Sequence, residues 1–255
     1  MKIKVLGSAG SEVPGRNCPA FLVDGKILLD AGTIGVSLNI REEHGLGWIL
    51  LTHAHLDHIK GIPFLLDNLV IRGTGNTITV YGGKDVLDDL RKNIFNGRIW
   101  PDFTRIPTPE RPALKYKTIG TTRPVSIDGY RVTMERVHHA VPAYGYIVGK
   151  PGKKAIAYTG DTGPTDRFWE RMAAHDVKYL ITETSFPNRL EKLALASGHL
   201  TPALLEREIA KMPDPPEKIL IMHVKPQYLQ EIEVEIQGLG RDDIEFLKDG
   251  ELIEV

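Results

Sequence analysis

The chain has 255 residues, of which 42% are hydrophobic and 25% are charged, a composition that is ordinary for a globular protein. Its net charge of −1 excludes a global basic field that would attract nucleic acid. The single cysteine, Cys18, excludes an internal disulfide, and we find neither a signal-peptide pattern nor an apolar run long enough to span a membrane. We therefore predict one cytoplasmic domain, residues 1–255, without a membrane partner.

Turn signals and apolar patterns predict a mixed α/β chain. Three Asp-Gly pairs between apolar stretches predict β-hairpins that join residues 21–23 to 26–29, 125–127 to 130–137, and 246–247 to 252–255. Helices are predicted at 34–44, 57–69, 84–96, 165–174 and 201–212. In the last of these, Thr201 is a plausible N-cap and Pro202 occupies the first helical position. Strands alternate with helices in the middle of the chain, which indicates an αβ architecture.

One stretch, residues 100–124, shows no regular pattern and contains five prolines, at positions 101, 107, 109, 112 and 124. A long segment of this kind often covers a functional site or connects elements at the surface. Three interpretations remain open for it: a lid, a contact between subunits, or a plain surface loop.

The segment 52–58 carries the strongest chemical signal in the chain. Three histidines and an aspartate, His53, His55, Asp57 and His58, follow the apolar run 48–51 directly. Imidazole suits zinc, iron and manganese, and a carboxylate beside three imidazoles favours a divalent cation. In an extended segment His53 and His55 point the same way, whereas Asp57 and His58 lie past a turn and face a second point. The segment therefore predicts two adjacent metal sites.

Further candidate ligands follow other apolar strands. His139 comes just after a predicted strand, Asp161 follows residues 156–160 at a glycine turn, and His223 ends the apolar run 219–222. Ligands at the ends of successive strands converge on one edge of a sheet. We interpret His44 and His175 as surface residues at helix ends, and leave the role of His138 open.

The order of these motifs resembles the metallo-β-lactamase fold superfamily over residues 7–223. The resemblance implies an α/β (α+β) fold, a four-layer αβ/βα sandwich with two metals at the sheet edges. It implies that seven side chains hold two divalent cations, His53, His55 and His139 the first, Asp57, His58 and His223 the second, and Asp161 both. Asp30 matches an aspartate of the family that orients a ligand. Zinc fits the histidine-rich first site, and manganese or iron fits the second about as well.

A centre of this kind is suited to hydrolysis. Two cations about 3.5–4 Å apart share a hydroxide and clamp an ester from both sides, so that no protein nucleophile is needed. The leaving oxygen still requires a proton, and His199 is the candidate acid, oriented by Glu183. Asp57 is assigned both as a ligand and as a catalytic carboxylate.

Three segments, 53–62, 183–188 and 197–202, look like the class II cyclic-nucleotide phosphodiesterases. This resemblance implies a small phosphodiester substrate, a 3′,5′-cyclic nucleotide such as cyclic AMP or cyclic GMP, which is hydrolysed to the 5′-nucleotide. Pro63 departs from the family signature. Candidates for an aromatic platform under the base are Trp100, Phe103, Tyr144 and Phe186, although core packing explains each of them as well.

Three alternatives remain. The tRNA 3′-processing branch shares His199 and Glu183, but its substrate arm generally lies between the lone His and the bridging Asp. Here His139 and Asp161 are only 22 positions apart, so nucleic acid is a disfavoured partner. An arylsulfatase or lactonase would use the same metals, and a non-catalytic scaffold is disfavoured because every expected ligand is present. The resemblance to the family also implies a homodimer.

Overall fold

The computed structural model describes residues 1–255 and contains two seven-stranded sheets and a small two-stranded hairpin. The strands in chain order are β1 (Lys2–Gly7), β2 (Ala20–Val23), β3 (Ile27–Leu29), β4 (Trp48–Leu50), β5 (Ile78–Gly82), β6 (Pro107–Thr108), β7 (Arg111–Pro112), β8 (Leu114–Thr118), β9 (Val125–Ile127), β10 (Tyr130–Arg136), β11 (Tyr144–Gly149), β12 (Ala155–Tyr158), β13 (Val177–Glu183), β14 (Lys218–Met222), β15 (Ile244–Phe246) and β16 (Leu252–Glu254). The first sheet has the order β16-β1-β2-β3-β4-β5-β8, and the second has the order β15-β14-β13-β12-β11-β10-β9.

The two sheets repeat one pairing pattern. From β16 in the first sheet and from β9 in the second, three antiparallel pairs are followed by three parallel pairs. The carboxyl ends of parallel strands lie at one edge of a sheet. This edge carries the residues that follow β3, β4, β12, β13 and β14. These segments hold all of the predicted ligands except His139, which follows β10.

The helices in chain order are α1 (Ile40–Gly45), α2 (Leu56–Ile59), α3 (Gly61–Ile71), α4 (Lys84–Asp89), α5 (Arg167–Met172), α6 (Glu191–Ser197), α7 (Pro202–Ile209) and α8 (Leu229–Gln237). Successive residues along the strands of the second sheet pack in different hydrophobic cores, because the side chains of a strand point alternately to the two faces of the sheet. Ile181 and Leu220 pack in the core shared with the first sheet, α3 and α4. Leu180 and Ile219 pack against α5, α7 and α8. The layers run helix, sheet, sheet, helix, so the predicted αβ/βα sandwich is confirmed.

Two predicted helices differ from the observed ones for identifiable reasons. The prediction of 34–44 is wrong in its first half, because Asn39 caps α1 by accepting hydrogen bonds from the amides of Arg41 and Glu42. The prediction of 57–69 as one helix is also wrong. The Gly61 amide donates to the Ala31 carbonyl at 2.8 Å, so the chain divides into α2 and α3 at this point.

The other predicted helices are present with shifted ends. Residues 84–96 form α4 followed by one turn of π-helix, Leu90–Ile94, and residues 165–174 shorten to α5. The start of α7 is confirmed, since the Thr201 hydroxyl accepts from the Leu204 amide and Pro202 begins the helix. Helices α6 and α8 were not predicted. The longest helix, α3, has 11 residues, and none has the length and hydrophobicity that a membrane span requires.

The first two predicted hairpins are confirmed, as β2–β3 and β9–β10. The third is wrong, because β15 pairs with β14 in the second sheet while β16 pairs with β1 in the first. The Asp-Gly turn between them connects the two sheets, and the Gly250 amide donates to the Val5 carbonyl at 2.7 Å. The stretch 100–124 is not irregular throughout, since it contains the β6–β7 hairpin and the edge strand β8.

Candidate metal centre

The seven predicted ligands converge at the edge where the parallel strands end. Two sets of ligand atoms, each within 4.8 Å of one another, are formed by His53, His55, His139 and Asp161, and by Asp57, His58 and His223. The segment after β4 supplies four of the seven residues, and the other three come from the ends of β10, β12 and β14. The residues are far apart in sequence, and the sandwich brings them to one place.

Asp161 lies between the two groups. One of its carboxylate oxygens is 3.7 Å from His53 Nε2 and 3.2 Å from His223 Nε2, and the other is 3.3 Å from His58 Nε2. The turn that presents Asp161 requires glycine at position 160, where φ is +62° and a Cβ would lie 2.7 Å from the Thr52 side chain. Asp161 is therefore placed to contact both groups at once.

The donor set fits divalent cations, because three of its buried polar atoms have no hydrogen-bond partner. His53 Nε2, His58 Nε2 and Asp161 Oδ1 are buried and make no hydrogen bond. His139 Nε2 and His55 Nδ1 face each other at 3.3 Å, and His223 Nε2 is 3.2 Å from Asp57 Oδ2. Unpaired buried nitrogen and oxygen atoms are costly unless a ligand satisfies them. Imidazole nitrogens with carboxylates are the ligands expected for zinc, manganese or iron.

Hydrogen bonds behind the ligands orient the ring of His58. Its Nδ1–H donates to Asp30 Oδ2 at 2.7 Å, which leaves the Nε2 lone pair facing the centre. The same carboxylate accepts from the hydroxyl of Tyr158 at 2.6 Å and from the amide and hydroxyl of Thr52, both at 2.8 Å. Asp30 is fully buried and has a left-handed φ of +53°. It stands where the sequence predicted an orienting carboxylate.

The first group is oriented by neutral oxygens. The Thr52 hydroxyl, having donated to Asp30, accepts from His53 Nδ1–H at 2.9 Å. His139 Nδ1–H donates to the Gly198 carbonyl at 2.8 Å. Gly198 ends α6 with a left-handed φ of +69°, and a Cβ there would lie 2.7 Å from the His139 main chain. In both histidines Nε2 is therefore the free nitrogen.

The protonation of the first group and of Asp161 suits cation binding. Burial, reinforced by neighbouring histidines, lowers the pKa values of His53 and His55, and burial also lowers the pKa of His139. Burial would raise the pKa of Asp161, but His223 and His58 hold it well below its usual range. At neutral pH the first group therefore offers neutral imidazoles, and the central carboxylate is ionised.

His199 and Glu183 form a pair beside this centre. His199 Nδ1 is 2.6 Å from Glu183 Oε1, and both side chains are buried. The His199 ring also lies within 4.8 Å of ligand atoms of Asp161 and His223. Burial lowers the pKa of His199, but the Glu183 carboxylate outweighs it and raises that pKa above the usual range. A histidine of this kind keeps its proton to higher pH than an isolated histidine, and it faces the centre.

The structure also places the residues whose roles the sequence left open. Of the four aromatic candidates, Phe186 lies nearest the centre, with its ring 5.6 Å from that of His199. Phe103 and Tyr144 are buried, and Trp100 packs edge-on against Phe64.

His44 is exposed at the end of α1, and the half-buried His175 follows α5, where it bonds Thr133 and the Arg171 carbonyl. His138 belongs to neither ligand group. The sequence analysis missed the contributions of Thr52, Tyr158 and Ser185. Thr52 and Ser185 each lie within a motif that the sequence does reveal. That location is the one feature of the sequence that could have indicated their roles.

Comparison with known proteins agrees with this geometry. The family model of the beta-lactamase superfamily domain matches residues 26–224. A probable 3′,5′-cyclic-nucleotide phosphodiesterase of Yersinia pestis is 28% identical over 71% of this chain and 57% of its own length. A ribonuclease Z of Bradyrhizobium diazoefficiens is 30% identical over 59% of this chain and 50% of its own. The chain thus spans little more than half the length of these two relatives.

A solved structure of a yeast protein shares the fold. Unliganded yeast PDE1 is similar with a TM-score of 0.83 over 100% of this chain and 99% of that chain, at 20% identity. An identity of this size shows the fold alone. The chain therefore belongs to the β-lactamase superfamily, with the metallo-β-lactamase fold of metal-dependent hydrolases that its motifs predicted, among relatives named phosphodiesterases and ribonucleases.

Proposed function

We propose that the protein is a metal-dependent phosphodiesterase that hydrolyses 3′,5′-cyclic nucleotides to 5′-nucleotides. The observation that carries this proposal is the buried His199–Glu183 pair, 2.6 Å apart, facing the same centre as Asp161 and His223. Cleavage of a phosphodiester with an alkoxide leaving group needs both a cationic centre and a proton donor. The clustered histidines and aspartates, together with this pair, support the presence of both.

The chain's own residues have distinct parts in this reaction. His53, His55 and His139 would hold one cation, Asp57, His58 and His223 the other, and Asp161 both. When bound, two such cations supply a nucleophilic water at neutral pH and stabilise charge on the phosphoryl group. His199 gives its proton to the departing 3′ oxygen, and Glu183 holds the ring in position and stabilises its charged form. Asp57 remains both a ligand and a catalytic carboxylate in this proposal.

The centre's surroundings support a small substrate. Between His139 and Asp161 the chain forms only the β11–β12 hairpin, whose turn closes with a hydrogen bond from the Lys153 amide to the Lys150 carbonyl at 3.0 Å. A net charge of −1 adds no general attraction for a polyanion. A large folded RNA would therefore find few contacts here, whereas a single nucleotide needs only the centre and its immediate walls.

The test is a substrate panel with protein loaded in turn with zinc, manganese and iron. We expect cyclic AMP or cyclic GMP to yield the 5′-nucleotide, detected by chromatography, and expect little cleavage of an aryl sulfate or a lactone. His199→Ala should lose the activity, and His44→Ala, at an exposed histidine outside the centre, should keep it. Protein that hydrolyses neither cyclic nucleotide under any metal would contradict the proposal.

A second candidate is a tRNA 3′-processing endoribonuclease. The 30% identity to a ribonuclease Z favours it, and that branch resembles this chain in the same acid pair, His199 and Glu183. Precursor tRNA therefore belongs in the same panel. Accurate 3′ cleavage of that RNA, without hydrolysis of cyclic nucleotides, would reverse the ranking of the two functions.

A further inference from the structure

Ser185 occupies a position between the two halves of the centre that none of the assigned roles explains. Its side chain is fully buried. Its Oγ lies 2.6 Å from Glu183 Oε2, 2.8 Å from His223 Nδ1 and 3.3 Å from His199 Nδ1. One hydroxyl thus contacts the predicted metal ligand, the predicted acid and the carboxylate that orients the acid.

The direction of these hydrogen bonds follows from the groups involved. An ionised carboxylate can only accept, so the single hydroxyl proton of Ser185 goes to Glu183. The oxygen lone pairs of Ser185 then accept from His223 Nδ1–H. Nδ1 of His223 is thereby the nitrogen that carries a proton, and Nε2, 3.2 Å from both Asp57 and Asp161, is the nitrogen that would bind a cation.

The backbone adds a reason for such support. His223 has a left-handed φ of +59°, which is unfavourable for a residue with a side chain and persists only when its surroundings hold it. Its amide donates to the Ser8 carbonyl at 2.5 Å, and its ring is held by Ser185. The carboxylate on the far side of Ser185 is Glu183, which also bonds His199.

We propose that Ser185 is a positioning residue that links the second cation group to the proton donor. Through one hydroxyl it sets the tautomer of His223 and holds Glu183 in the orientation that bonds His199. Both histidines of the second cation group are therefore supported by a carboxylate. His58 bonds Asp30 directly, and His223 is linked to Glu183 through Ser185. The inference concerns cation binding and does not depend on which phosphodiester is cleaved.

The first test measures zinc binding to Ser185→Ala by competition with a chromophoric chelator. We expect affinity for one of the two equivalents to fall about 10–100-fold, the range for losing a group that orients a ligand. Thr184→Val is the matched control, because Thr184 is equally buried and its hydroxyl bonds only the carbonyl of Glu183 at 2.9 Å. It should bind both equivalents within about twofold of the unaltered protein.

A second readout avoids metal altogether. In metal-free protein labelled with ¹⁵N-histidine, the Nδ1–H of His223 should be protected from solvent exchange by its hydrogen bond to Ser185, and Ser185→Ala should lose that protection while Thr184→Val keeps it. Should Ser185→Ala fail to fold, Ser185→Cys retains the shape with a much weaker hydrogen-bonding group and should show a smaller loss in the same direction. Unchanged zinc affinity in the folded Ser185 variant, or equal losses in the Ser185 and Thr184 variants, would overturn the proposal.

A separate observation concerns a cavity of about 230 Å³ on the outer side of His55. Its lining consists of Ala54, His55, Ile59 and Val141 together with a second group, Asp89, Asn93 and Ile94, which is called here the second wall. This volume is smaller than the roughly 300–1,000 Å³ of pockets that bind drug-sized ligands. The cavity therefore suits a smaller group that consists of one ring system. Because His55 also belongs to the first cation group, the cavity adjoins the centre.

The second wall carries free polar groups on an unusual turn. The side chains of Asp89, which is half-buried, and Asn93, which is exposed, make no hydrogen bond or ion pair within the protein, whereas the neighbouring Asp88 pairs with Lys84 and Arg91. The chain between Asp89 and Ile94 forms the π-helical turn, a rare conformation that is frequent at functional sites. Apolar walls with a few unpaired polar groups are typical of a ligand pocket.

We infer that this cavity receives the nucleobase of the substrate, with Asp89 as its specificity-determining residue. The inference rests on the proposed phosphodiesterase function. A carboxylate only accepts hydrogen bonds, and guanine presents two adjacent donors, N1–H and the N2 amino group. Adenine presents an acceptor, N1, beside its single amino donor, and is therefore a poorer partner. The cavity accordingly favours a guanine nucleotide over an adenine nucleotide.

The test compares kcat/KM for cyclic GMP and cyclic AMP in metal-loaded protein. We expect a preference for cyclic GMP of about tenfold or more, the size of one good bidentate contact. Asp89→Asn should abolish or reverse that preference, and Asp88→Asn, at the adjacent carboxylate outside the cavity, should preserve it. A ratio near one, or equal effects of both variants, would overturn this assignment.

A binding measurement distinguishes failure of the cavity assignment from failure of the proposed function. If neither cyclic nucleotide is hydrolysed, calorimetric titration with 5′-GMP and 5′-AMP still tests the cavity, because it requires no turnover. Tighter binding of 5′-GMP that Asp89→Asn removes supports the cavity assignment alone, and equal binding of the two nucleotides rejects it.

Discussion

The two groups of candidate ligands differ in what stands behind their histidines. In the first group, His53 and His139 donate to neutral oxygens, the Thr52 hydroxyl and the Gly198 carbonyl. In the second group, His58 donates directly to the Asp30 carboxylate, and His223 reaches a carboxylate through a serine. The first group has three histidines, and the second has two and an aspartate.

This difference in supporting groups goes with a difference in the pKa values of the histidines. Burial lowers the pKa values of the first-group histidines, so they are neutral at physiological pH. Burial acts against the charged form of His58 as well, but Asp161 and Asp30 outweigh it and raise the pKa of His58 well above the usual range. Carboxylate support makes an imidazole a more basic ligand. We expect the second cation to depend on its supporting carboxylates more strongly than the first depends on its neutral partners.

The largest effect should come from the residue that the two groups share. Asp161→Ala should lose both cations and all measurable activity, because Asp161 is the carboxylate that faces His53, His58 and His223. Elemental analysis after dialysis measures this directly, with Asp176→Ala, at an exposed aspartate, as control. Two equivalents retained by the Asp161 variant would show that the groups bind independently of it.

The next largest effect separates cation binding from proton transfer. His199→Ala should keep both cations and lose about 10²–10⁴-fold in kcat on substrates with an alkoxide leaving group. The loss should be much smaller for a nitrophenyl ester, since nitrophenolate leaves without a proton. Steady-state kinetics measures the loss in kcat for both substrates. Equal losses would show that His199 is not the acid.

A pair of variants sharpens the comparison between the groups. Asp30→Asn removes the charge behind His58 and should weaken one zinc equivalent about 10–100-fold. Thr52→Val removes the neutral partner of His53, a hydrogen bond of about 1 kcal/mol, and one of the several hydrogen bonds to Asp30, whose charge remains, and it should weaken zinc binding by only about fivefold. Calorimetric titration with zinc measures both.

Asp24→Asn is the folding control for this pair, because Asp24 also has a left-handed φ but lies in the β2–β3 turn. An equal loss in the Asp30 and Thr52 variants would refute the distinction between charged and neutral support.

The smallest effect is a displaced pH profile. Burial favours the neutral ring of His199, but Glu183 raises its pKa, so His199 remains protonated to higher pH than an isolated histidine. Glu183→Gln removes that charge, and the pKa of His199 should fall. The alkaline limb of kcat for cyclic nucleotides should then move to lower pH, and the limb for a nitrophenyl ester should stay in place. A shift to higher pH, or none, would contradict the assigned pair.

The residues that could be predicted are those whose signal is local. The 52–58 segment carries four ligands in seven positions, and Asp161 and His223 stand directly after apolar strands. Ser185 and Thr52 could not be assigned roles, because their hydrogen bonds join segments that only the sandwich brings together. Tyr158 belongs with them, since its hydroxyl reaches Asp30 from the other sheet.

The same limit explains the errors in the fold. The Asp249-Gly250 pair has the local pattern of a hairpin turn, yet the strands around it join different sheets. A turn signal contains no information about which sheet edge is available to each strand. The break at Gly61 likewise depends on the carbonyl of Ala31, thirty residues earlier.

Anomalous X-ray scattering at the zinc absorption edge, from crystals soaked with zinc, tests the central claim most directly. The structure predicts two peaks, one among the ring nitrogens of His53, His55 and His139 and one among Asp57, His58 and His223, with Asp161 between them. No peak at this edge of the sheets, or one peak bound by other residues, would contradict the account.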